Sequence, residues 1–242
     1  MIMLKEIKLE DVLFLDIETV PQYSVYTELP DDLKPFWDKK ASFLIKGEET
    51  SESLFGRSGI YAEFGKIICI SAGFIVQHDG AKFFRVKSFF GDDEKSILGG
   101  FSVMLNRFGT KPKATLCGHN GKEFDFPYIS RRMLINGIDI PNLLDVAGKK
   151  PWEVKFLDTM ELWKFGDYKN YTSLALLSKI FDIPSPKDDI DGSQVADVYY
   201  KEKDIERIVK YCEKDALTVA QLFLRYKNEL IINPENIERV LE

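Results

Sequence analysis

Apolar residues run unbroken through Val12, Leu13, Phe14 and Leu15 and then give way to Asp16 and Glu18, a pattern that predicts a buried strand ending in charge. Side chains alternate faces along a strand, so Asp16 and Glu18 share one face while Ile17 turns into the core. The stretches 66–76 (KIICISAGFIV) and 81–90 (AKFFRVKSFF) are rich in β-formers and are separated by a QHDG turn signal, which predicts a hairpin. Between 93 and 108, Ile97, Leu98, Phe101, Met104, Leu105 and Phe108 recur at helical spacing, although Gly99 and Gly100 weaken that helix. A short strand at 114–120, a helix over 124–136 stopped by Gly137, and a strand at 156–159 follow. The last third predicts a helix at 173–181, a Pro- and Asp-rich loop, and a long helix over 203–230. One face of that helix carries Ile205, Ile208, Val209, Cys212, Ala216, Val219, Ala220 and Phe223. Hairpin-joined strands followed by alternating helices and strands imply an α/β fold, a mixed sheet flanked by helices, as a single domain over 1–242.

The stretch from about 20 to 62 breaks this rhythm with Pro21, Pro30, Pro35, Gly47, Gly56 and Gly59, and it reads as an insertion between strands. It contains one helical segment, 31–45, with Phe36, Trp37, Phe43 and Leu44 expected to form its apolar face.

Composition narrows the function classes. With 45% hydrophobic residues, 242 residues can bury a substantial core, and a net charge of −6 gives the whole protein no attraction for nucleic acid or anionic membranes. Any such binding requires a local basic or metal-filled patch. Three cysteines without a C-x-x-C pair point to reduced thiols and a cytoplasmic setting. Charges interrupt the N-terminal MIMLKEIKLED before a signal-peptide core can form, and no apolar run reaches the roughly 18 residues of a membrane span, so no membrane partner is expected.

Two like charges at the edge of a core repel unless a cation lies between them, and carboxylate oxygens suit hard divalent ions. Asp125, just after a predicted strand end, sits where α/β sheets present polar groups, with Asn120 and Phe124 beside it. Tyr211 and Asp215 project one turn apart from the same face of the last helix. Each of these acids has an ordinary explanation alone: a strand end, a helix dipole, a solvated helix face. Together they offer four carboxylates and a phenol, a set that could hold two metal ions able to clamp a phosphodiester.

The motifs D-I-E-T at 16–19, H-N-G-K-E-F-D at 119–125 and Y-C-E-K-D at 211–215 resemble those of the DEDD 3'-5' exonucleases on the ribonuclease H-like fold. The tyrosine four residues before Asp215 is similar to the DEDDy branch, and the chain looks most like the proofreading exonuclease domain of family B DNA polymerases. The resemblance implies that Asp16, Glu18 and Asp215 hold one Mg2+ or Mn2+, that Asp16 also bridges to a second, and that Asp125 holds the second partly through water. It further implies that Tyr211 positions the attacking water and that Thr19, Asn120 and Phe124 contact the terminal nucleotide. The substrate implied is the 3' end of single-stranded DNA or RNA. Asp158 and His119 are expected to play structural parts, and Lys122, Arg131, Arg132 and Lys164 are candidate phosphate contacts by their sequence proximity to the motifs. Two other classes compete: a nuclease-fold module that binds nucleic acid or protein without catalysis, and a hydrolase of small phosphate compounds.

Overall fold

The structure is a computed structural model, and it describes residues 4–167, 171–184 and 190–240. Strand β1 (Val12–Pro21) carries the acidic pair and lies at the centre of a sheet formed with β2 (Gly65–His78), β3 (Ala81–Phe90), β4 (Thr115–Gly118), β5 (Leu157–Asp158) and β6 (Ile237–Arg239). The order is β5-β4-β1-β2-β3-β6. β1, β2 and β3 are antiparallel neighbours, whereas β4 lies parallel to β1, β5 parallel to β4, and β6 parallel to β3. The hairpin turns through Asp79 and Gly80, both at positive φ, which matches the right-handed twist of the two strands it joins.

The β1–β2 register holds from Leu13 opposite Phe74 to Glu18 opposite Cys69, and then shifts so that Thr19 faces Ile67. An extra residue in one strand at this point bends the pair and strengthens its twist, immediately beyond the two carboxylates.

Helices cover both faces. Helix α2 (Glu94–Phe108) buries Ile97, Leu98, Phe101, Leu105 and Phe108 against Leu13, Leu15 and Ile17, together with Phe126, Ile129 and Met133 of α3 (Asp125–Ile135). On the other face, α7 (Ile205–Tyr226) lays Val219, Ala220 and Phe223 on Val12 and Phe14, and Ile208, Val209 and Cys212 on Val20, Ile68 and Cys69. Phe14 meets Phe223 edge-on at 5.5 Å between ring centroids. The long helix therefore runs antiparallel to β1 and spans its whole length. Between α3 and α7 lie α4 (Thr159–Lys164), α5 (Leu174–Ile180) and α6 (Val195–Asp197), and α6 continues into a π-helical turn over Val198–Glu202.

Three expectations change. The insertion helix, α1, is shorter (Lys34–Ala41), and only Trp37 and Ala41 are buried on it. Phe36 is 65% and Phe43 81% exposed, because the buried face follows the spacing Trp37, Ala41 and Leu44, which leaves residues 36 and 43 on the opposite side. The last helix ends at Tyr226, where Asn228 turns left-handed and the Glu229 N–H returns to the Leu224 carbonyl. Strand β6 is not among the predicted elements; its three residues carry too little pattern to be seen without β3 beside them. The Pro- and Asp-rich loop after residue 181 falls partly outside the described residues. No helix among the described residues is long and apolar enough to cross a membrane.

Candidate active site

Four predicted carboxylates converge from three elements. Asp16 and Glu18 stand on one face of β1, Asp125 opens α3, and Asp215 projects from α7. Glu18 and Asp125 are buried at 7% and 5% exposure, with Ile17 between the β1 pair turned into the opposite core. Burial pushes the carboxyls of Asp16, Glu18 and Asp125 up, Asp125 to about 7. Mutual repulsion adds to this: Asp16 feels Glu18, Asp125 and Asp215, while Glu18 and Asp125 each feel Asp215. The ligand atoms of Asp16, Glu18 and Cys212 lie within 4.8 Å of one another.

Cys212 was not among the expected site residues, since its helical spacing assigns it to the apolar face. Its thiol donates to the Asp16 carbonyl at 3.3 Å, so it floors the site, and burial pushes its pKa far up and keeps it neutral. Tyr211 and Asp215 line a cavity of about 470 Å³ together with Ser173, Ser178, Asp191 and Gln194.

The loop before Asp125 is held in place by Asp158. Its carboxylate accepts the backbone N–H groups of Asn120 (3.0 Å), Lys122 (3.1 Å), Met160 (3.0 Å) and Glu161 (3.2 Å), capping α4 and fixing residues 120–122 at once. Gly121 is required there, because a Cβ on it would come within 2.9 Å of the Phe126 ring and 3.1 Å of the Gly118 backbone. His119 is tied at both nitrogens, to Thr159 Oγ1 and to the Thr172 carbonyl, each at 2.9 Å. A carbonyl can only accept, so Nε2 carries the proton, while the Thr159 hydroxyl beside Nδ1 also reaches the Gly118 carbonyl as a donor at 3.2 Å. Asn120 adopts φ 63°, and its buried Oδ1 has no hydrogen-bond partner among the described residues.

Phe124 packs on Tyr128, with ring centroids 5.4 Å apart at the edge of the α2–α3 core, and Thr19 lies half-buried on β1 next to Glu18. The Tyr128 hydroxyl donates to the Gly59 carbonyl at 2.7 Å, which fastens the insertion to this corner. Tyr128 was not foreseen, and its place three residues beyond Asp125 in a helix was the available signal.

The basic candidates divide. Arg132 is a correction: it is 3% exposed and forms a two-pronged bond to Glu94, with Nε at 2.8 Å and Nη2 at 2.5 Å, while Nη1 donates to the Ala62 carbonyl at 2.8 Å. An arginine so enclosed and paired is not presented to a phosphate. Its helical position, one turn after Tyr128 and beside Met133, takes it into the core. Lys122 reaches Glu161 at 2.5 Å, Lys164 is half-buried and Arg131 is exposed.

The site thus sits on a mixed six-stranded α/β sheet, with acids at the middle of β1 and a long helix laid across it. The solved family B DNA polymerase of the hyperthermophilic archaeon Pyrobaculum calidifontis is similar at a TM-score of 0.54 and 18% identity, covering 89% of this chain. That match spans 24% of the polymerase chain. At this identity the likeness concerns the fold. The chain belongs to the family described as "Predicted 3'-5' exonuclease related to the exonuclease domain of PolB", whose model matches residues 60–231. Asp125, Tyr211 and Asp215 fall inside the matched residues, whereas Asp16, Glu18 and α1 precede them. No curated protein gives a match.

Proposed function

We propose that this protein is a metal-dependent 3'-5' exonuclease that hydrolyses the last phosphodiester of a single-stranded end and releases nucleoside 5'-monophosphates. The observation that carries this reading is the convergence of Asp16, Glu18, Asp125 and Asp215 from β1, α3 and α7. Buried acids that raise one another's pKa oppose folding once they ionise, and an all-oxygen donor set suits hard divalent cations. Arg132, a buried cation close in sequence, is engaged by Glu94 and does not neutralise the cluster. The donor set therefore fits divalent cations such as Mg2+ or Mn2+, which Asp16, Glu18, Asp125 and Asp215 would hold. Two such ions supply Lewis acidity at the attacking and leaving oxygens of a phosphodiester.

The chain's own residues then orient the substrate. A free phenol is a poor base at neutral pH, so the part of Tyr211 is to position the water by a hydrogen bond. Attack by the water oxygen on phosphorus breaks the P–O3' bond; the departing 3' oxygen takes a proton and stays on the shortened strand. Asn120, whose buried Oδ1 has no partner among the described residues, Thr19 beside Glu18, and Phe124, packed on Tyr128, are the groups for the terminal nucleotide. The test is degradation of 3'-labelled and 5'-labelled DNA and RNA strands in Mg2+ or Mn2+. Stepwise loss from the 3' end supports the reading. Strand binding without products would assign the protein to the non-catalytic class, and turnover of only a generic phosphodiester would assign it to small phosphate compounds.

A further inference from the structure

Helix α1 buries one side and leaves an aromatic ring, Phe36, exposed on the other. Trp37 and Ala41 anchor it in a small core of its own with Leu29, Leu54, Phe55 and Phe64, and the Trp37 indole donates to the Ser51 carbonyl at 2.8 Å. The outward side then presents Phe36, Lys39 and Lys40 on the helix and Phe43 in the turn that follows it, with all four exposed. Two exposed aromatic rings thus flank Lys39, and the Lys40 ammonium lies 4.3 Å over the Tyr61 ring, on the surface of a protein whose net charge is −6. The nearest acid on the helix, Asp38, is occupied by the Tyr26 hydroxyl at 3.0 Å. A solvated helix has no need of two exposed phenylalanines, and a hydrophobic docking face gains nothing from two lysines at its centre. Alternating rings and cations match an unpaired nucleic-acid strand, whose bases stack on aromatic faces while its phosphates meet the ammonium groups.

The face is mechanically joined to the candidate site. Gly59 lies so close to β1 that a Cβ on it would come within 2.8 Å of the Val20 carbonyl carbon, and Phe55, four residues earlier, meets Trp37 edge-on at 5.6 Å. Val20 is two residues beyond Glu18, so the path from α1 through Trp37, Phe55, Gly59 and Val20 to the carboxylates is at most on the order of 30 Å long. A strand of many nucleotides can follow that path from end to end; a dinucleotide cannot.

We infer that the outer face of α1 is a stacking platform that holds single-stranded nucleic acid upstream of the 3' end engaged at the carboxylates. This rests on the exonuclease reading, yet its test does not need turnover. Affinity for a labelled single strand of about 20 nucleotides is measured by fluorescence anisotropy, and Phe36→Ala/Phe43→Ala should weaken it roughly 10- to 100-fold. Phe36→Tyr/Phe43→Tyr should bind as wild type does, because it keeps the rings. Lys39→Ala/Lys40→Ala should lower the slope of log affinity against log salt by about 1.4, two phosphate contacts on a single strand. Dinucleotide hydrolysis should stay unchanged in all of these variants, and an unaltered circular dichroism spectrum and melting temperature check the fold. A wild type that binds the long strand but cleaves nothing sinks the exonuclease reading and leaves the platform standing. Unchanged long-strand affinity in Phe36→Ala/Phe43→Ala overturns the platform. So does a concentration-dependent dimer, or anionic-vesicle binding, that the same double variant abolishes while strand affinity persists.

Discussion

Arg132→Ala should damage the fold and leave strand recognition untouched. The side chain is enclosed at 3% exposure; its guanidinium supplies two of the hydrogen bonds to Glu94, whose carboxylate also accepts from the Ile67 N–H at 2.7 Å and from Asn136 at 2.9 Å. A third bond runs to the Ala62 carbonyl. Truncation therefore strands a buried carboxylate and a carbonyl together. Breaking a buried pair by removing one partner costs about 3–5 kcal/mol, which for a chain of this size lowers Tm by roughly 6–20 °C. Urea unfolding and thermal melts read the loss directly. Replacing both charges, in Arg132→Met/Glu94→Gln, should recover at least half of it, because no ion is then left unpaired. The reasoning fails if Arg132→Ala melts within a degree or two of wild type, or if it reduces the salt slope of strand binding by about 0.7, the signature of a lost phosphate contact.

Asp16→Ala, Asp125→Ala and Asp215→Ala should each abolish cleavage with metal-free stability preserved or raised, and Mg2+ should lift the melting temperature of wild type more than that of Asp16→Ala; equal shifts would remove the metal-site argument. Tyr211→Phe should lose about 10²- to 10³-fold in turnover while keeping metal binding, and excess Mn2+ should partly rescue Asp215→Asn but hardly Tyr211→Phe; full activity in Tyr211→Phe would make the tyrosine a packing residue. The pH dependence of metal-free stability follows from Asp125, which keeps its proton to about pH 7 in the folded chain and loses it near pH 4 when unfolded. The folded state binds the extra proton in that window, so this stabilisation is complete below about pH 4 and is lost as pH rises through about 7. Urea midpoints measured from pH 4 to 8 should fall less steeply in Asp125→Asn; an unchanged slope would mean that the carboxyl titrates normally.

Local pattern placed β1, the β2–β3 hairpin, α2, α3 and the long α7: the strands buried on both faces as apolar or β-forming runs closed by charge or a turn signal, and the helices by an apolar face or a glycine stop in their own residues. The acids at 16, 18, 125 and 215 were legible as well, since motif spacing is a property of the chain. Their convergence was not, because it depends on α7 crossing β1 antiparallel and on α3 beginning beside it. Cys212 looked apolar and became the floor of the acidic site; Arg132 looked like a phosphate contact and became the buried partner of Glu94. In both cases the residue type was known and its direction was not. The sidedness of α1 was decided the same way: Phe36, Trp37 and Phe43 are equally apolar in sequence, but a helix can turn only one face inward, and the pocket formed by Leu54, Phe55 and Phe64 received the indole and left the two phenyl rings in solvent.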